Sequence, residues 1–293
     1  MAIVYDKLLA LDIPEVEQAY TEKDTILYAL GVGCGHDPVD ETELAFVYEK
    51  NLKALPTMPL VLGVAPLWLR SAGVNWTKVV DGERGIILHR PLAPHGAVVG
   101  KTRVVEAIDK GEGKGALVYS ERTVIDKASG DLIATLTQTT FCRGDGGFGG
   151  PAVWSKAGQA PVPHPIPDRT PDRTDDIATH PEMALIYRLS GDINPLHVEP
   201  EFAKAAGFPK PILHGLATFG VAGRAILKAV CDYQPERLTA MKGRFSGPVY
   251  PGETLRTELW QEKNKDGNVI SFRVTALERN AIAINNGKAE VKV

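Results

Sequence analysis

Leu216-Ala217-Thr218-Phe219-Gly220-Val221-Ala222-Gly223-Arg224-Ala225-Ile226-Leu227-Lys228-Ala229-Val230 is the stretch on which the fold turns. It has the length of a helix, and Phe219, Val221, Ala222, Ala225, Ile226, Ala229 and Val230 leave it almost no polar face. Such a helix belongs inside the molecule, wrapped by a sheet. Downstream lie three strand-like segments, Thr254 to Glu262, Val269 to Leu277 and Ala281 to Val291, in the pattern of an antiparallel meander. Lys265-Asp266-Gly267-Asn268 supplies a turn between them, and Asn285-Asn286-Gly287 a turn or bulge.

The same order occurs earlier in the chain. Val98 to Ile108, Ala116 to Ile125 and Leu132 to Phe141 form a first meander, with Ala128-Ser129-Gly130-Asp131 as a turn. Helical pattern precedes it over Glu41 to Leu55, as Pro200 to Gly207 and the apolar run precede the second. Sliding the second half back by roughly 160 residues sets Tyr187-Arg188-Leu189-Ser190-Gly191-Asp192 against Tyr28-Ala29-Leu30-Gly31-Val32-Gly33, and Tyr250-Pro251-Gly252 against Pro94-His95-Gly96. Each half reads as one long helix held in a curved antiparallel sheet, an α+β fold. The two sheets are expected to pair edge to edge, which covers two edges.

Between the halves, Gly144-Asp145-Gly146-Gly147-Phe148-Gly149-Gly150 runs into a polar stretch carrying Pro161, Pro163, Pro165, Pro167 and Pro171. Glycine favours flexible or unusual backbone and proline an extended chain that is neither helix nor central strand. The division is therefore residues 1–150, a linker over 151–175, and residues 176–293.

The chain has 293 residues, 44% of them hydrophobic, and a formal charge of -3, which gives no basis for nucleic-acid binding. Cys34, Cys142 and Cys231 are far apart and odd in number, which points to a reducing compartment and away from a structural zinc. Asp6 and Lys7 interrupt the start, no apolar run reaches the ~18 residues of a membrane span, and Val291-Lys292-Val293 is not a peroxisomal address of the Ser-Lys-Leu type. A cytoplasmic protein without membrane contact is expected.

The chemistry concentrates in Ser190-Gly191-Asp192-Ile193-Asn194-Pro195-Leu196-His197. A carboxylate and an imidazole five residues apart across a turn can share one water, as proton transfer requires. Pro211-Ile212-Leu213-His214-Gly215 then leads into the apolar helix, whose first N–H groups are unpaired and suited to a developing oxyanion. Other duties exist for these residues. Asp192 and Asn194 suit turns and caps, His197 a buried imidazole, and Gly215 close packing. A metal held by Asp192, His197 and His214 has no matching ligand spacing. The comparison with the first half favours chemistry, because Gly33 and Pro38 stand where Asp192 and His197 would be, and Leu55-Pro56-Thr57-Met58-Pro59-Leu60 has no His-Gly. The first half would shape a pocket for an apolar group, and Ala54 to Leu69 leaves room for a bulky tail.

With these motifs assembled, the chain resembles the R-specific 2-enoyl-CoA hydratases of the MaoC-like group, including the hydratase domain of the peroxisomal multifunctional enzyme of type two. The resemblance spans nearly the whole chain and is strongest over residues 187–197 and 206–216, with Thr140 to Gly150 in support. It implies a double hot dog fold and the syn addition of water to a trans-2-enoyl-CoA, giving a (3R)-3-hydroxyacyl-CoA. It makes Asp192 and His197 the catalytic pair, has Asn194 hold the water or substrate, and gives the Gly215 N–H the thioester oxygen. Acyl-CoA contacts are implied at Gly82, Lys110 and Phe245, together with Pro195, Leu196 and His214. Asp81 departs from the pattern, since relatives carry His-Gly-Glu where this chain has Asp81-Gly82-Glu83. Read without the resemblance, Lys110 suits a solvated strand end and Phe245 a plain core. No metal or organic cofactor is called for, and a homodimer is implied. An acyl-CoA thioesterase and a non-catalytic acyl-CoA-binding subunit are the alternatives. Release of free thiol would mark the first, and binding without turnover the second.

Overall fold

The computed structural model describes residues 3–37, 39–156, 160–264 and 267–292. The first half runs α1 (Tyr5–Leu9), β1 (Val16–Tyr20), α2 (Glu22–Gly31), α3 (Glu41–Val47), α4 (Trp68–Ser71), β2 (Val79–Leu88), β3 (Gly96–Asp109), β4 (Ala116–Asp126) and β5 (Leu132–Cys142). The second runs β6 (Arg173–Ala178), α5 (Met183–Tyr187), α6 (Pro200–Ala205), α7 (Gly215–Val230), β7 (Leu238–Phe245), β8 (Thr254–Asn264), β9 (Gly267–Ala276) and β10 (Ala281–Val291). The ten strands found among the described residues join one sheet in the order β1-β3-β4-β5-β2-β7-β10-β9-β8-β6. Read outward from the centre, the two halves have the same strand order. The expected edge-to-edge pairing is the antiparallel seam β2–β7, from Glu83 opposite Arg244 to Ile87 opposite Ala240.

The apolar run folds as α7, with every residue from Ala217 to Leu227 buried. Each fully buried Phe, Leu or Ile contributes roughly 1.5–3 kcal/mol relative to exposure, so this helix anchors the core. Gly220 and Gly223 let it lie close against the first half. A Cβ at Gly220 would fall 2.5 Å from Val32 Cγ1, and one at Gly223 would fall 2.7 Å from Thr57 Cγ2. One continuous apolar core therefore runs from Tyr28, Val32 and Leu55 to Phe219, Ile226 and Phe272.

The first half departs from the expected single long helix over Glu41 to Leu55. Its helix α3 ends at Val47, where Tyr48 turns extended and Asn51 takes a left-handed φ of 58°. Pro56 and Pro59 lack the N–H that a continued helix needs. Leu52, Ala54, Leu55, Met58, Leu60 and Leu62 fill the space as irregular chain and a short 3₁₀ turn, Met58–Val61. What α3 does provide is Glu43, 2% exposed, which accepts a hydrogen bond of 2.9 Å from Arg224 Nε of α7.

The linker is also more ordered than its glycines suggest. Asp109 accepts the backbone N–H groups of Gly111, Gly147 and Gly149 at 2.7 to 2.8 Å. The buried Glu106 accepts the hydroxyls of Tyr5 and Ser155. Strand β6 begins at Arg173, inside the expected linker, and pairs with β8 from Arg173 opposite Leu259. The Asn285–Gly287 stretch forms a bulge in β10. Of the expected turn at 265–268, Lys265 and Asp266 lie outside the described residues, as does Pro38. Among the described residues no helix is long and apolar enough to cross a membrane.

Candidate active site

Asp192 follows Gly191, whose φ of 122° turns the chain out of the 3₁₀ segment Arg188–Ser190. Its carboxylate accepts the Asn194 N–H at 3.1 Å, and Asn194 Oδ1 in turn accepts the Leu196 N–H at 3.1 Å. Pro195 then starts the 3₁₀ segment Pro195–His197 with the φ it already favours. These turns carry His197 inward to 8% exposure while the Asp192 side chain stays 50% exposed. Asn194 therefore does perform the capping duty read as its plainer role.

His197 Nδ1 lies 2.8 Å from the Ile212 carbonyl, which can only accept, so Nδ1 carries the proton and Nε2 is bare. Nε2 faces Asp192 Oδ2 at 4.0 Å. That gap is too long for a direct hydrogen bond and suits a water held by both groups. Burial holds the His197 pKa below its ordinary value, against the opposing pull of the Ile212 bond and Asp192.

His214 stacks on His197, with ring centroids 3.6 Å apart and planes 25° from parallel, and meets the tilted Tyr187 ring at 5.0 Å. Its Nε2 donates to the Asp192 carbonyl at 3.0 Å, and its buried Nδ1 has no partner among the described residues. Burial first, then His197, push the His214 pKa down to about 4. Ligand atoms of Asp192, His197 and His214 lie within 4.8 Å of one another, so the fold gathers a set that its sequence spacing did not reveal. Two of its nitrogens already donate to carbonyls.

Gly215 opens α7, and the first helical bond is Thr218 N–H to His214 O at 3.1 Å. The Gly215 N–H thus has no acceptor within the helix. A side chain at this position would meet the Phe245 ring at 3.3 Å, so glycine keeps the N–H uncovered and Phe245 beside it. Gly82 sits at a bulge of β2, where a Cβ would press to 2.9 Å on the Thr139 carbonyl. Its neighbour Asp81 pairs with Arg84 at 2.8 Å. Burial raises the Asp81 pKa, Arg84 opposes this, and the charge of Asp192 raises it further, which places the two carboxyls in one electrostatic neighbourhood. Lys110 is exposed in the β3–β4 hairpin, at the same end of the sheet as Asp81, its Nζ 5.2 Å from the ring centre of Phe141, which pairs with Val80 on the strand next to it. The fold therefore gathers Asp192, Asn194, Pro195, Leu196, His197, His214, Gly215 and Phe245 closely, with Gly82 adjacent and Lys110 at the periphery. Sequence reasoning did not single out Tyr187 and Arg84, which adjoin this cluster. Tyr187 appeared there only as the first residue of the repeat.

Two family models match the chain: "MaoC like domain" over residues 163–281 and "MFE-2 hydratase 2 N-terminal domain" over residues 18–144. A peroxisomal enoyl-CoA hydratase 2 of Arabidopsis thaliana is 40% identical over 94% of this chain and 91% of its own length. The 3-hydroxyacyl-thioester dehydratase Y of Mycobacterium tuberculosis is 43% identical over 83% of this chain and 82% of its own. The crystal structure of a MaoC-like dehydratase from Phytophthora capsici superposes with a TM-score of 0.84 at 34% identity, covering 98% of both chains.

Proposed function

The chain belongs to the MaoC-like enoyl-CoA hydratases, and on that basis we propose that it adds water to trans-2-enoyl-CoA with Asp192 and His197 handling the protons. The observation that carries this reading is the bare Nε2 of His197 facing the Asp192 carboxylate across 4.0 Å, with the Gly215 N–H, which has no acceptor within its helix, at the start of α7. The thioester oxygen accepts the Gly215 N–H, which makes C3 electrophilic and stabilises the enolate formed on attack. A water between the two side chains gives its oxygen to C3 and one proton to the pair. The pair returns a proton to C2 on the same face. One O–H bond and the C2=C3 π bond break, one C–O and one C–H bond form, and the product is a (3R)-3-hydroxyacyl-CoA. Read in reverse, the same site dehydrates.

Residues 1–150 shape the acyl pocket and residues 176–293 carry the chemistry, a reading supported by Gly33 standing where the second half has Asp192. Asn194, Pro195 and Leu196 hold the loop that presents the water. Phe245, Gly82, Lys110 and His214 border the thioester and its carrier. The three buried free thiols support a reducing compartment, and we place the protein in the cytoplasm as a homodimer. Crotonyl-CoA tests the reaction. Hydration removes the conjugated absorbance, releases no thiol and yields the 3R alcohol on chiral analysis, whereas thiol release or a 3S product would refute it.

A further inference from the structure

Arg122, on the inner face of β4, is 8% exposed. Its Nη2 donates to the carbonyls of Leu60 at 2.6 Å and Pro59 at 3.5 Å, while its buried Nε has no partner among the described residues. Among the described residues no carboxylate forms an ion pair with it. Carbonyl dipoles satisfy donors but leave the charge unbalanced, and a buried, unbalanced cation is costly to keep. The charge that acts on it is that of Arg84, which already has Asp81. Burial first and Arg84 second lower the Arg122 pKa to about 9, so the group stays charged at neutral pH.

The surroundings of Arg122 form a polar lane on an inner face that would otherwise be apolar. Thr140 stands opposite Asp81, Gln138 opposite Arg84, Ser120 opposite Gln138, and Arg122 lies two residues beyond Ser120. Thr140 Oγ1 is buried without a partner among the described residues, and Gln138 reaches Asp81. The lane starts at Asp81, within the field of Asp192, and ends under Pro59 and Leu60 of the irregular segment. Four residues along and two strands across, strand geometry sets Arg122 roughly 16 Å from Asp81.

We propose that the acyl group this chain is built for ends in a carboxylate, and that Arg122 is the counter-ion waiting for it at the far end of the pocket. This rests on the reading that the first half houses the acyl chain. The test uses two long trans-2-enoyl-CoA substrates of matched length, one ending in methyl and one in carboxylate. Charge-assisted pairing predicts that the wild-type protein prefers the carboxylate by roughly tenfold or more in kcat/KM. Arg122→Met should erase the preference and Arg122→Lys keep part of it. Should the Met variant fail to fold, the saturated analogues of both substrates, compared as inhibitors of the wild-type protein, read the same preference. Equal rates and equal inhibition in the wild type, or an equal fall for both substrates in Arg122→Met, would overturn the proposal and leave Arg122 a cap for two carbonyls. Failure to hydrate crotonyl-CoA would instead count against the hydratase reading itself.

Discussion

The base role proposed for His197 depends on neighbours that are themselves held in place. Ile212 fixes its tautomer, His214 fixes its plane, and burial keeps it unprotonated. Because only the neutral ring offers Nε2 as a base, activity should fall on the acid side, with the His197 limb of kcat/KM below pH 6.5; a His197 limb above that value would contradict the assignment. Asp192→Asn keeps an acceptor for the Asn194 N–H but loses the charge. It should lower kcat by roughly 10²–10⁴-fold with little change in the urea midpoint, and His197→Gln by a similar factor. Near-normal turnover in either variant removes the pair from the mechanism. His214 makes a separate prediction about stability. Its unfolded imidazole takes up a proton near pH 6.5 and the folded one only near 4, so between those values the unfolded state binds more protons. Stability is therefore highest above pH 6.5 and declines as pH falls toward 4, by roughly 3 kcal/mol from this group. Urea midpoints measured from pH 7 to 4.5 should fall less steeply in His214→Gln. Equal slopes would show that the ring titrates normally.

Among the elements, α7 and the two meanders were legible because each carries its signal locally. An apolar run of helix length has one physical resting place, and the meander strands alternate between turns that glycine and asparagine mark. Strands β2 and β7 were not legible. β2 carries Asp81, Gly82, Glu83, Arg84 and Gly85 in its middle, and β7 carries Lys242, Gly243 and Arg244. Neither reads as a buried strand, because each is stabilised by pairing with a partner more than a hundred residues away. The interrupted helix of the first half was misread for a related reason: the pattern over Glu41 to Leu55 is helical, but the breaks at Tyr48 and Asn51 depend on what the segment packs against. The proposed pair, Asp192 and His197, stands out in the sequence by its spacing and by the Gly33 and Pro38 that face it in the other copy. The stacking of His214 and the isolation of Arg122 arise only when distant segments meet. Glu43 and Arg224 join α3 to α7 in the same way. Arg224→Met should cost roughly 3–5 kcal/mol in chemical denaturation by stranding a buried carboxylate, and adding Glu43→Leu should recover most of the loss. A double variant as unstable as the single would show that the helices depend on the ion pair itself.

At the scale of the whole molecule, a shared core and a shared sheet bind the halves more tightly than their sequence division suggests. Trp260 lies in the second half, while Trp68 and Trp76 lie in the first. Thermal unfolding should therefore give one transition, the same by tryptophan fluorescence and by far-UV circular dichroism. Two resolved steps would mean that the seam and the core between the halves melt separately. The order of the sheet also limits how copies can meet. Its outermost strands are the short β1 and β6, of five and six residues, carrying Glu17 at one margin and Arg173, Asp175 and Asp176 at the other. Short, charged margins are poor templates for a further strand. Growth by strand addition is thereby discouraged at both ends, and copies of this chain that associate do so through faces or loops. Dilution would then part them without breaking a single backbone hydrogen bond of either sheet, so each copy would keep the Asp192–His197 loop and the start of α7 intact when alone.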